Sequence, residues 1–143
     1  MLERTTLALS ENEKQLYEHF KTLNPGQFRK VLKSAEWITA DQETKICTEN
    51  GKADNLYFLF DGNALIKRQS NSFEIPDGCF LGEIAFITDG PYTADVFAKE
   101  QTTYVKMDIA GLKKIMSKDQ ELQNAMISLF NFDMAKKLAV SNR

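Results

Sequence analysis

Apolar residues along this chain follow three different periods, and each period predicts a different kind of element. From Glu11 to about Trp37 they fall at helical spacing: Leu16, Tyr17, Phe20 and Leu23, then Phe28, Val31, Leu32 and Ala35. Asn24-Pro25-Gly26 separates the two runs, and Pro25 suits the first turn of the second helix. Ser10 followed by Glu13 has the capping-box spacing for the first. A helical hairpin is predicted.

From Ile38 to Met107 the pattern breaks into short β-type segments cut by turn residues. Ile46 lies in a predicted strand that ends near Glu49-Asn50-Gly51. Leu56 to Phe60 is strongly β-prone, and Asp61-Gly62-Asn63 is a hairpin signal before Ala64-Leu65-Ile66. Ser70-Asn71-Ser72 and Pro76-Asp77-Gly78 mark further turns, and Thr93 to Ala98 and Thr102 to Met107 supply two more strands joined at Lys99-Glu100-Gln101. Six to eight short strands with regular turns predict a rolled antiparallel sheet rather than a parallel one.

The helical period returns at Asp108, placed to cap a helix over Leu112, Ile115 and Met116. A longer helix follows from about Gln120 to Val140. Its apolar residues make two stripes, Leu122-Met126-Leu129 and Ile127-Phe130-Met134-Leu138. One stripe docks a surface helix, and the second is buried, seals a homodimer or serves a lid. The expected fold is α+β, mainly β: an antiparallel, jelly-roll-like β-roll of about eight strands flanked by helices. It forms a single domain over 1–143, divided into a helical lead-in (1–37), a roll (38–107) and closing helices (108–143).

Composition narrows the function. With 143 residues, 43% of them hydrophobic, and ten Phe, the chain can bury a core without staples. Net charge is −2, and the segment from Lys106 to Arg143 carries a mild excess of seven basic over four acidic residues, which reads as a solvated helix face. No nucleic-acid partner is expected. Met1 to Ser10 has no apolar h-region, and the longest apolar runs, Leu56 to Phe60 and Ile84 to Ile87, are too short to span a bilayer, so a cytoplasmic location without membrane insertion is expected. Cys47 and Cys79 read as reduced, packed thiols.

Catalytic chemistry finds no support. His19 is the only histidine and lies in a helix, so a Ser-His or Cys-His pair has no base and a jelly-roll metal site has no ligand set. No P-loop or zinc spacing occurs. The expectation is no enzyme, no metal and no cofactor.

The informative segment is Phe80-Leu81-Gly82-Glu83-Ile84-Ala85-Phe86-Ile87-Thr88-Asp89-Gly90-Pro91-Tyr92-Thr93-Ala94. It reads as a strand end, a glycine, one short helical turn and a Gly-Pro return to a strand. Free N–H groups after Gly82 can face an anion, and Glu83 is placed to accept hydrogen bonds from vicinal hydroxyls.

This stretch resembles the phosphate-binding cassette of cyclic nucleotide-binding domains: Phe-Gly-Glu-(Leu or Ile)-Ala, six residues, then Arg, a small residue and Ala. From Gly82 the spacing matches without a gap. The resemblance extends to the leading helices (Phe20 to Trp37), to Glu49-Asn50-Gly51 through Leu56-Tyr57-Phe58, and to the closing helices. Ala35-Glu36-Trp37 and Phe132-Asp133-Met134-Ala135-Lys136-Lys137-Leu138 are also similar to bacterial relatives of Popeye-domain proteins, a divergent branch of the superfamily.

The resemblance implies a cAMP- or cGMP-binding regulatory module. Gly82, Glu83, Ile84 and Ala85 would meet the cyclic phosphate and ribose, Thr93 and Ala94 would complete the cassette, and the closing helix would act as lid. Tyr92 stands where the family places Arg. A charged hydrogen bond contributes about 1.5–3 kcal/mol, so its loss implies roughly 10- to 150-fold weaker binding. Asp89 and Asp95 lie near the slot in sequence and oppose an anion; Lys67, Arg68 and Lys99 are the cations that could compensate. The alternative is a degenerate module of the same fold that dimerises or docks a partner through its last helix without nucleotide.

Overall fold

The computed structural model describes residues 9–141, and the side chains of the last helix through residue 139. The segment read for a leader falls largely in 1–8, outside the described residues, as do the last two residues. Helices α1 (Glu11–Tyr17) and α2 (Pro25–Leu32) lead in. The Ser10–Glu13 capping box is formed with both of its hydrogen bonds, and Asn24 with Gln27 forms a second one ahead of Pro25. Closing the chain are α4 (Ile109–Ser117), capped by Asp108 through a 2.7 Å bond from the Gly111 N–H, and α5 (Gln120–Ser141).

Between them lie eight antiparallel strands: β1 (Ala35–Thr39), β2 (Thr44–Cys47), β3 (Asn55–Asp61), β4 (Asn63–Arg68), β5 (Asn71–Pro76), β6 (Phe80–Leu81), β7 (Asp95–Ala98) and β8 (Thr103–Asp108). One four-stranded sheet has the order β1-β8-β3-β6 and the other β2-β7-β4-β5. A short helix, α3 (Glu83–Thr88), interrupts the roll between β6 and β7.

Three local expectations are corrected. Ala35 to Trp37 is not the end of a helix but the start of β1, paired with β8 from Ala35↔Met107 to Thr39↔Thr103. Cross-strand pairing outweighs the helical period there. The Asp61-Gly62-Asn63 turn does not close a hairpin ladder, because β3 and β4 belong to different sheets. It is a corner, and only glycine fits it: φ at Gly62 is +126°, and a Cβ would stand 2.9 Å from Thr102 Cα. The turn expected at Ser70-Asn71-Ser72 falls one residue earlier, as a two-residue hairpin link, Gln69 and Ser70, with Arg68 paired to Asn71 across it.

The chain alternates between sheets, so the core has two layers. Leu56 and Phe58 of β3 face the helices with Phe20, Phe28, Phe80, Met126 and Phe130. Tyr57 and Leu59 of the same strand face the roll interior with Ala64, Ile75 and Val96. A strand covered on both faces reads as a continuous apolar run, which is why Leu56 to Phe60 shows no alternation. On α5 the buried line takes Leu122 and Met126 from one expected stripe and Phe130 from the other, while Ile127 is 40% exposed. Among the described residues, no helix is long and apolar enough to cross a membrane.

Candidate functional site

Strand β6 delivers the chain to Gly82, whose φ of +88° turns it sharply into α3. That left-handed conformation favours glycine, and a Cβ there would lie 3.1 Å from the Tyr92 ring. No side chain caps the start of α3, and its first helical bond runs from the Phe86 N–H to the Gly82 carbonyl. The return segment is tied to the 50–51 turn: the Asn50 N–H donates to the Tyr92 carbonyl at 2.8 Å, and the Tyr92 N–H to the Gly51 carbonyl at 3.0 Å.

A cavity of about 710 Å³ opens in front of this segment. All seven residues singled out from sequence line it: Gly82, Glu83, Ile84, Ala85, Tyr92, Thr93 and Ala94. The β4–β5 hairpin also lines it, with Arg68, Asn71, Ser72 and Phe73, as does α5, with Met134, Lys137 and Leu138. The volume is in the range of small-molecule sites.

A family model described as the cyclic nucleotide-binding domain matches residues 38–119. The chain belongs to this family. It is 23% identical over 103 residues to the cyclic nucleotide-gated potassium channel mll3241 of Mesorhizobium japonicum, a match that covers 72% of this chain and 29% of the channel. Among solved structures, it superposes on a candidate cyclic nucleotide-binding protein of Geobacter metallireducens GS-15 with a TM-score of 0.79 at 22% identity, covering 90% of this chain and 98% of that one. It also superposes on the regulatory domain of Toxoplasma gondii PKA crystallised with cAMP, with a TM-score of 0.67 at 18% identity, covering 88% of this chain and 52% of that one.

Within this cyclic nucleotide-binding domain, the cassette carboxylate already has a partner. Glu83 is 2% exposed and ion-paired to Lys137, 54 residues away on α5. Burial lifts the Glu83 carboxyl above its usual range, and the Lys137 ammonium pulls it partly back. Lys137 also donates to the Phe80 carbonyl at 2.7 Å and lies 3.1 Å from Asp133 Oδ2. That oxygen is buried and makes no hydrogen bond, so charge attraction alone holds it. The other Asp133 oxygen accepts the Phe80 N–H at 2.8 Å. Two side chains of α5 therefore occupy both backbone groups of Phe80, much as a neighbouring strand would. Neither Asp133 nor Lys137 was legible as part of the site, because a helix seen in sequence does not reveal which strand it lies against.

Tyr92 divides between the cavity and the fold. Its ring lines the cavity beneath Gly82, but its hydroxyl donates to the Asn55 carbonyl at 2.6 Å and accepts from the Asn55 N–H at 3.2 Å. Burial pushes its pKa up to about 12. The residue ties the cassette to β3. Tyr92→Phe is expected to destabilise the fold by about 1–3 kcal/mol through the stranded Asn55 groups, with nucleotide affinity nearly unchanged. Thermal denaturation beside a ligand titration checks both halves. A loss of affinity without loss of stability would return the hydroxyl to the ligand.

The charges near the slot in sequence mostly go elsewhere. Asp89 pairs with Lys113, and Asp95 accepts the Glu49 N–H at 2.7 Å with Lys45 at 3.4 Å; neither lines the cavity. Lys99 pairs with Glu43, and Lys67 lies over the Phe97 ring. Arg68 alone of the three compensating candidates reaches the cavity wall. Cys47 and Cys79 are free and buried, and desolvation pushes the Cys47 thiol up to about 12, which disfavours the thiolate. His19 packs on Phe58 with ring centroids 5.2 Å apart, and burial lowers its pKa. Among the described residues, no group of three or more His, Cys, Asp or Glu is arranged to hold a metal ion.

Proposed function

We propose that this domain is a regulatory, non-catalytic sensor that binds cAMP, cGMP or a related phosphate ligand weakly, with α5 as the element that reports occupancy. The observation that carries this is the cavity itself: cassette residues form one wall and α5 another, so a ligand inside touches both. Family membership and the solved neighbours that hold cAMP support the ligand class. Weak affinity follows from two features: Tyr92 supplies no charge, and Glu83 must exchange Lys137 for a ribose hydroxyl. A ligand that makes contacts only with one position of α5 shifts its population toward that position.

Calorimetry and thermal shift with cAMP and cGMP up to millimolar concentration test this. Saturating ligand at 100 times its Kd is expected to add about 2.7 kcal/mol of stability. No heat and no shift with either nucleotide would refute the sensor.

A second reading, dimerisation or partner docking without nucleotide, rests on Ile127, Phe132 and Leu138 of α5, which are 40%, 70% and 62% exposed. Sedimentation showing a monomer at tens of micromolar would refute the dimer.

A further inference from the structure

We infer that the anionic group of the ligand is held by Arg68, at the tip of the β4–β5 hairpin. This rests on the cavity being a nucleotide site, and assigns within it the charge that the cassette lacks.

Two cations line the cavity, Lys137 and Arg68. Lys137 is held between Glu83 and Asp133, and that trio of side chains sums to −1. This trio therefore offers an anion no surplus positive charge, and the Tyr92 hydroxyl is committed to Asn55. Arg68 is exposed, and among the described residues no carboxylate lies within ion-pair distance of it. Its guanidinium offers five donors in a fixed fork suited to a phosphate or phosphodiester.

The hairpin gives Arg68 a defined position. The β4–β5 ladder runs from Asn63↔Pro76 to Arg68↔Asn71 and ends in a two-residue link with Gln69 at φ +54°. Asn71 and Ser72 add neutral polar groups at the same end, and Phe73 an apolar surface beside them. β4 pairs with β7 up to Lys67↔Asp95, so the hairpin tip adjoins the Thr93-Ala94 end of the cassette.

The test compares cAMP with adenosine, which lacks the phosphate, by calorimetry on the full chain. Arg68→Gln is expected to weaken cAMP binding roughly 10- to 150-fold while leaving adenosine within about twofold. Arg68→Lys should retain part of the cAMP affinity and lose its bidentate share. Lys67→Gln, on the neighbouring residue that lies over Phe97 and does not line the cavity, is the charge control and should stay within about twofold. If wild-type protein binds cAMP and Arg68→Gln loses no more than Lys67→Gln, or if cAMP and adenosine weaken together, the assignment is wrong and the sensor stands. If wild-type protein binds neither compound, the sensor reading fails and takes the assignment with it.

Discussion

Phe130→Ala should destabilise the domain by about 3–5 kcal/mol, the range for removing a fully buried aromatic ring. Phe130 is 0% exposed, and its ring stands 5.1 Å from Phe80 edge-on and 5.3 Å from Phe86. Phe80 belongs to the strand that enters the cassette and Phe86 to the helix that follows it, so one ring holds α5 against both sides of Gly82. The effect is therefore more than a void: α5 loses its anchor beside the cavity, and nucleotide response should fall with stability. Urea denaturation gives the first quantity and ligand-induced thermal shift the second. Phe132→Ala, two residues on and largely exposed, is the control and should change stability by less than about 0.5 kcal/mol. Equal losses from the two substitutions would show that α5 is not docked through Phe130.

Lys137→Met should cost a similar amount at neutral pH, about 3–5 kcal/mol, by a different route. The methionine keeps most of the side-chain length but leaves Glu83 and Asp133 as two buried carboxylates without a cation. The pH dependence carries the diagnosis. Burial already raises the Glu83 carboxyl above its ordinary value in the intact protein, so the folded state holds that proton more tightly than the unfolded one. Stability from this group is fully present below the unfolded pKa and is lost as pH rises through the folded one. Removing Lys137 takes away the attraction that opposes the rise and widens that window. The variant should therefore approach wild-type stability below pH 5 and fall away from it toward pH 7. Adding Glu83→Gln should recover much of the neutral-pH loss. A deficit constant from pH 4 to 8 would mean that packing, not charge, is what Lys137 contributes.

Both predictions concern the junction between α5 and the cassette, and its two sides differ in how well they can be read from sequence. The cassette is contiguous. Gly82, the short helix and the Gly-Pro return are local backbone events with residue-type requirements, so their spacing alone places seven residues on one cavity wall. The caps at Ser10 and Asp108 are equally local, as is the count of strands between turn residues. Pairing was less legible. The Asp61-Gly62-Asn63 turn carries a hairpin's residue types, yet it serves a corner, because the destination of β4 is set by the neighbours Ala98 and Ile75 rather than by the turn.

What this sequence determines by itself is the order of its elements and the chemistry of one short segment, since periodicity, capping and φ preferences act within a few residues. The tertiary structure decided which distant groups close on that segment: Lys137 and Asp133 on Glu83 and Phe80, and the Asn55 backbone on the Tyr92 hydroxyl. Such polar pairings leave no periodic trace, because an ion pair or a hydrogen bond depends on separation in space and is indifferent to the 37 to 57 positions of chain that separate its partners.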